Sequence, residues 1–348
     1  MFPSLPPCRD TGTRVKPPRH VALVLLEWDD ASCMWQPLPF PRRINVELTN
    51  YCNQRCRFCP RQEFTRSLGF MSRHVFEHIV GECARYQTRL WLHFLGEPLL
   101  HRELLDFLTL AAKARVGEVG LSTNAVSLHG RLAEGLLATP LDRLECSLDA
   151  NDAATYALLR GRDHFTRVTQ NIEAFLERKY RLGLRRPIVS LQVLLTPENE
   201  GQLDEIVRRW KPLLAEEDFV MAILPASFAG QVAVQGKHVP ASRHPCHWLF
   251  EALVILQDGT VTMCGADWDA RAPLGRIPGH TIREIWNGAE LQRRRALHLS
   301  SEYAQLAPCA GCSDWQLSDG RGYINVLRQP LPRQPQAGAR IGATSASG

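Results

Sequence analysis

A chain of 348 residues with 45% hydrophobic content has room for one large α/β domain, a smaller one and a sizeable core. Its net charge of +5, from 41 basic and 36 acidic residues, partly reflects Arg328, Arg333 and Arg340 in an acid-free tail; this mild excess lacks the localised basic stripe of a nucleic-acid surface. No apolar run approaches the roughly 20 residues of a bilayer span, and His20–Leu26, followed by Glu27, Asp29 and Asp30, is too short for a signal segment, so a cytoplasmic protein without membrane or nucleic-acid partners is expected. Eleven cysteines in such a compartment point to metal or redox chemistry, and their odd number leaves no complete disulfide framework.

Residues 1–42 are proline-rich, with a strand-like stretch at Val21–Leu26, and read as an extension packed on the main domain. From Arg43 strand and helix patterns alternate. Strands are predicted at Ile44–Leu48, Arg89–Leu95, Val116–Ser122, Arg143–Leu148, Ile188–Leu195 and Phe219–Leu224. Helices are predicted from Ser72 to about Arg85, at Glu103–Ala114 and Leu128–Leu137, as a broken pair over Ala153–Lys179, and at Leu203–Leu214. Six such units predict an α/β fold, a partial (β/α)6 TIM-like barrel over residues 43–238, with its reactive site at the carboxyl ends of the strands. After Val239 the pattern changes. Leu253–Leu256 and Thr260–Met263, joined by Asp258-Gly259, predict a hairpin, and Thr281–Trp286 and Ala289–His298 short helices. This small unit, residues 239–325, holds four cysteines, and residues 326–348 read as a flexible tail.

Cys52, Cys56 and Cys59 lie on one loop after the first strand. Three thiolates can ligate three irons of a cubane and leave the fourth open to the amine and carboxylate of an amino acid. The alternative is a zinc loop, although structural zinc prefers four protein ligands and no histidine adjoins these three. Cys246, Cys264, Cys309 and Cys312, separated by 17, 44 and 2 residues, can saturate a cluster, and suit structural zinc as well.

The CxxxCxxC spacing, with Phe58 before the third cysteine, resembles the radical S-adenosylmethionine (SAM) superfamily. Further strand-end elements carry the same resemblance over residues 43–235. Gly96-Glu97-Pro98 resembles the GGEP motif with Leu95 in place of the first glycine, and implies that Glu97 and nearby backbone hold the SAM ammonium. Ser122-Thr123-Asn124 resembles STNG with Ala125 in the last place. Ser147 and Asp149 fall where the family binds ribose or the methionine part, Arg160 where an arginine meets the SAM carboxylate, and Gln192 and Leu194 where adenine is bordered. The second cysteine set, over residues 241–320, resembles the twitch form of the SPASM extension. The resemblance therefore implies SAM and two [4Fe–4S] clusters, one SAM-binding and one auxiliary, with a flavodoxin- or ferredoxin-type electron donor.

Spacing and ending together resemble the radical SAM dehydrogenases of aminoglycoside biosynthesis, of the deoxy-scyllo-inosamine dehydrogenase type. That implies oxidation of a secondary alcohol on an aminocyclitol or sugar, with the auxiliary cluster as electron acceptor. Alternatives are an epimerase, which needs a thiol in the pocket, a SPASM peptide maturase, and a zinc-stabilised binding protein. Cys146 is the candidate hydrogen donor, whereas Cys8, Cys33 and Cys83 read as small buried hydrophobes. Asp267, with Trp268 and Asp269, is a candidate for the space between clusters, and Arg162 and His164 are further candidates. His93 is expected to pack in the sheet and His101 to cap the following helix, with a substrate-facing role open to both.

Overall fold

The computed structural model describes residues 38–232, 243–317 and 323–325. The expected stretch Val21–Leu26, Cys8, Cys33 and the tail 326–348 lie outside them. In chain order the elements are β1 (Arg43–Val46), α1 (Arg73–Tyr86), β2 (Arg89–Trp91), α2 (Leu104–Ala114), β3 (Val119–Thr123), α3 (Gly130–Ala138), β4 (Arg143–Ser147), α4 (Ala153–Arg160), α5 (Phe165–Arg181), β5 (Ile188–Leu194), α6 (Leu203–Trp210) and β6 (Phe219–Ile223). The later part adds α7 (Trp248–Glu251), β7 (Ala252–Ile255), β8 (Thr260–Thr262), β9 (Gly275–Arg276), α8 (Ile282–Asn287), α9 (Ala289–Leu299), α10 (Ala307–Ala310) and β10 (Tyr323–Asn325).

The strands form one ten-stranded sheet in the order β10-β6-β5-β4-β3-β2-β1-β7-β8-β9. Pairs from β1 through β6 are parallel, as short strands separated by helices require. β7 also joins in parallel, with Ile44 opposite Leu253, so the first strand of the expected hairpin extends the barrel sheet. β8 and β9 then turn back antiparallel, and at the other edge β10 pairs antiparallel with β6. The two units thus share a continuous ladder across the expected boundary near residue 238.

Local chemistry fixes the helix ends. Ser72 caps α1 by accepting from the Val75 amide, Asp152 caps α4 in the same way at Thr155, and a Thr281–Glu284 capping box opens α8. The first amides of α8, at Ile282 and Arg283, also donate to Glu82 of α1, tying the later unit to the core. α6 is shorter than predicted: a 3-10 turn at Lys211–Leu213, with Pro212 unable to donate, ends it at Trp210. Alternation along the strands sends Leu90, Leu92, Leu121, Leu144, Leu191 and Val193 outward to the helices, where they are fully buried. Side chains of the opposite parity, including His93, Ser147 and Gln192, face the barrel interior and meet the cavity at the strand ends.

Candidate functional site

The loop bearing Cys52, Cys56 and Cys59 leaves β1 and is held by the end of α4. Arg55 and Arg57 amides donate to the carbonyls of Arg160 and Leu159. Gly96 is required by a close approach: a Cβ there would lie 1.8 Å from the Thr49 carbonyl oxygen. The next residue, Glu97, is buried and accepts from the Leu99 and Asn124 amides and the Thr123 hydroxyl. Burial outweighs these donors and raises its carboxyl to about 7. Arg160, also buried, pairs with Asp149 at 2.5 Å and lies over the Phe58 ring at 5.6 Å.

These groups meet in one cavity of about 380 Å³. Cys52, Cys56, Cys59, Gly96, Glu97, Asn124, Ser147, Arg160, Gln192, Leu194 and Phe58 line it, and so do Cys246, Cys264 and Cys312 of the second set. Cys309 is buried behind them. Burial, reinforced by the thiols of Cys246, Cys309 and Cys312, pushes the Cys264 thiol well up. Burial likewise raises Cys52 to about 11, and Cys59 and Cys309 to about 12. Thiols so buried stay protonated at neutral pH unless a metal displaces the proton. Donors nevertheless stand beside the sulfurs: Asn124 Nδ2 is 3.8 Å from Cys52, Arg160 Nη1 3.7 Å from Cys56, the Asp314 amide 3.3 Å from Cys312, and a ring nitrogen of His298 3.3 Å from Cys309.

Comparison with known proteins agrees with this geometry. Residues 46–209 match the model of the radical SAM superfamily, and residues 246–313 match SPASM, an iron–sulfur cluster-binding domain. The chain is a radical SAM protein with a SPASM domain. Among its relatives is a tungsten-containing aldehyde ferredoxin oxidoreductase cofactor-modifying protein of Pyrococcus furiosus, 25% identical over 52% of this chain and 51% of that protein. Another is a GTP 3',8-cyclase of Gloeobacter violaceus, 31% identical over 48% of this chain and 53% of that protein. The chain thus spans about half the length of these curated relatives. Similar folds include BtrN in complex with AdoMet and 2-DOIA, at TM-score 0.55 and 17% identity over 80% of this chain and 94% of that one. Streptococcus suis SuiB bound to precursor peptide SuiA gives TM-score 0.61 and 14% identity over 82% and 72% of the two chains.

The radical SAM and SPASM domains imply SAM, a SAM-binding [4Fe–4S] cluster and an auxiliary cluster. The residues present fit them. Three thiols of one loop and three of the four in the second set line one cavity, and each set has hydrogen-bond donors directed at sulfur. In the same wall Gln54 donates to the Tyr156 hydroxyl, while its buried Oε1 has no partner among the described residues and suits a donor on a bound ligand. Glu97, partly neutral when alone, would be drawn to its charged form by an ammonium group.

Several sequence candidates fall elsewhere. Cys146 points away from Ser147 and is fully buried in the core, so it does not reach the cavity. Asp267 is consumed within its own loop, accepting from the Arg271 and Ala272 amides. Trp268 packs on Phe64, and Asp269 accepts from Thr65. Arg162 is exposed, and neither it nor His164 lines the cavity. Ser122 donates to Glu145 and accepts from the Trp91 indole, and Asp149 pairs with Arg160, so both support the wall from behind. His101 accepts from the Glu103 amide just before α2, without capping the helix itself, and its other ring nitrogen lies 3.0 Å from the Met71 carbonyl oxygen. His93 lines the cavity. Sequence reasoning missed the aromatic walls Phe94, Phe228, Trp248 and Trp315. Trp248 and Trp315 stand two and three residues after cluster cysteines, a proximity that could have found them.

Proposed function

We propose that this radical SAM enzyme oxidises a secondary alcohol of an aminocyclitol or sugar to a ketone, as a step of antibiotic biosynthesis. The observation that carries the reading is the shared cavity. Cysteines of both sets line one continuous space. A substrate there lies between the centre that starts the reaction and one able to take an electron. Cys52, Cys56 and Cys59 would hold the SAM-binding cluster, and Cys246, Cys264, Cys309 and Cys312 the auxiliary one. Bound and reduced, SAM and its cluster supply a 5′-deoxyadenosyl radical that takes a hydrogen atom from carbon. Glu97, Asn124 and Arg160 would orient SAM, with Gln192 and Leu194 beside its adenine. The similar fold of BtrN, solved with AdoMet and 2-DOIA, supports a small-molecule substrate. A flavodoxin- or ferredoxin-type protein would supply the electron.

Epimerisation needs a thiol near the substrate, and among the described residues the spare thiols Cys83 and Cys146 are both buried in the core. Peptide modification is favoured by one observation: the walls of Phe94, Phe228, Trp248 and Trp315 would also receive an apolar side chain, and SuiB, bound to its precursor peptide, shares the fold.

The test is anaerobic turnover with SAM, reductant and aminocyclitols deuterated at the carbinol carbons. The reading expects deuterium in 5′-deoxyadenosine and a ketone product. Solvent deuterium at an inverted carbon, or reaction only with peptides, would overturn it.

A further inference from the structure

Removing a hydrogen atom from an alcohol carbon leaves a hydroxyl proton that must also go. The cavity offers few places for it. Glu97 already accepts three hydrogen bonds. Arg160 is a cation paired with Asp149. Asp314 accepts from the Ser227 amide and hydroxyl and from the Ala229 amide. The six lining thiols belong to the cluster sets, and Gln192 is not a base.

His93 differs. It follows β2 with the parity of Trp91, while Leu92 between them is buried in the core. Its carbonyl accepts from Asn45 Nδ2 at 3.4 Å, but no hydrogen bond to its ring is found among the described residues. It stands four residues before Glu97. Its neighbour Phe94 packs so close to Gly265, next to Cys264, that a Cβ there would lie 3.1 Å from the ring. The imidazole therefore lies on the wall between the SAM motif and the second cysteine set. Burial pushes it down to about 4, so it is neutral at physiological pH and one nitrogen can accept a proton.

We propose that His93 is a catalytic residue, the base that takes the hydroxyl proton of the substrate; this rests on the dehydrogenase reading above. The balance is complete. The carbon–hydrogen bond would break homolytically, its hydrogen atom passing to the 5′-deoxyadenosyl radical to give 5′-deoxyadenosine. The hydroxyl proton goes to the His93 ring. The remaining electron leaves to the oxidised auxiliary cluster as the carbon–oxygen double bond forms.

The experiment compares wild type with His93→Gln and His93→Asn as reconstituted holoenzymes, matched for cluster absorption and SAM affinity. Single turnovers with SAM, reductant and the deuterated alcohol measure deuterium in 5′-deoxyadenosine and ketone per 5′-deoxyadenosine. Abstraction precedes proton loss, so deuterium transfer is expected within about threefold of wild type, while ketone per 5′-deoxyadenosine falls at least about tenfold, the scale of a lost general base. A wild-type ketone ratio in both variants overturns the role of His93 and leaves the dehydrogenase reading intact. Absence of ketone from wild type itself overturns that reading, and the inference with it. A second readout needs no turnover. Diethyl pyrocarbonate, mapped by peptide mass, is expected to label His93 in the holoenzyme and to be blocked severalfold by SAM plus alcohol. Equal labelling with and without them places the ring away from the substrate and overturns the proposal.

Discussion

Glu145 shows how the barrel interior constrains single residues. It shares the parity of Ser147 on β4, is buried, and accepts one hydrogen bond, from the Ser122 hydroxyl at 3.0 Å. Burial raises its carboxyl from 4.5 to about 7. A folded-state value above the unfolded one means that the native chain holds the proton more tightly. The associated stability is full below about 4.5 and is lost as pH rises to about 7. Glu145→Gln removes this term, since its amide oxygen can still accept from Ser122. We expect urea unfolding midpoints at pH 5 and pH 8 to differ less in the variant, with the variant more stable at pH 8. An unchanged pH dependence would show that Glu145 is ionised throughout. The aromatic cavity residues were invisible in sequence for a related reason. Nothing in a lone Phe94 or Phe228 distinguishes a cavity wall from a core position, because both are apolar contacts.

At the scale of elements, the cysteine loop depends on α4. Gly161 ends that helix at φ +73°, and a Cβ there would lie 2.2 Å from the Arg55 carbonyl oxygen, on the same loop that Arg160 and Leu159 hydrogen-bond. Gly161→Ala brings a left-handed penalty of about 1–2 kcal/mol and forces the loop away. The expected result is loss of the iron of one cluster after reconstitution, with auxiliary-cluster absorption retained. Full iron content would mean that the loop tolerates the shift. Element positions were largely legible because caps and periodicity are local: Ser72, Asp152 and Thr281 stand where helices begin. The lengths of β2 and α6 were not. Leu92 and His93 keep strand alternation after β2 has ended at Trp91, and the turn after Trp210 continues an apolar pattern past the end of α6.

Across the whole molecule, the two cysteine units are joined more closely than their sequences indicate. The pairing of β1 with β7 is a contact over some two hundred residues, which no local pattern reports. A second tie is Arg66, which bonds Glu47 through two nitrogens at 2.6 and 2.7 Å, Gln257 at 2.8 Å and the Trp268 carbonyl at 2.9 Å. Glu47 is fully buried. Arg66→Met strands that carboxyl, and removing one member of such a pair costs about 3–5 kcal/mol. Urea unfolding should register the loss, and Glu47→Gln in the same chain should recover part of it; equal midpoints for wild type and Arg66→Met would refute the tie. What the sequence did make legible is the order of motifs at successive strand ends, because the sheet is parallel and each strand delivers its last residues to the same rim. The most direct measurement is electron–nuclear double resonance on the reduced enzyme with SAM labelled by nitrogen-15 in its amine. The account predicts a nitrogen coupling to a cluster in wild type, retained in Cys309→Ala and lost in Cys56→Ala. No coupling in wild type, or a coupling that survives Cys56→Ala, would contradict it.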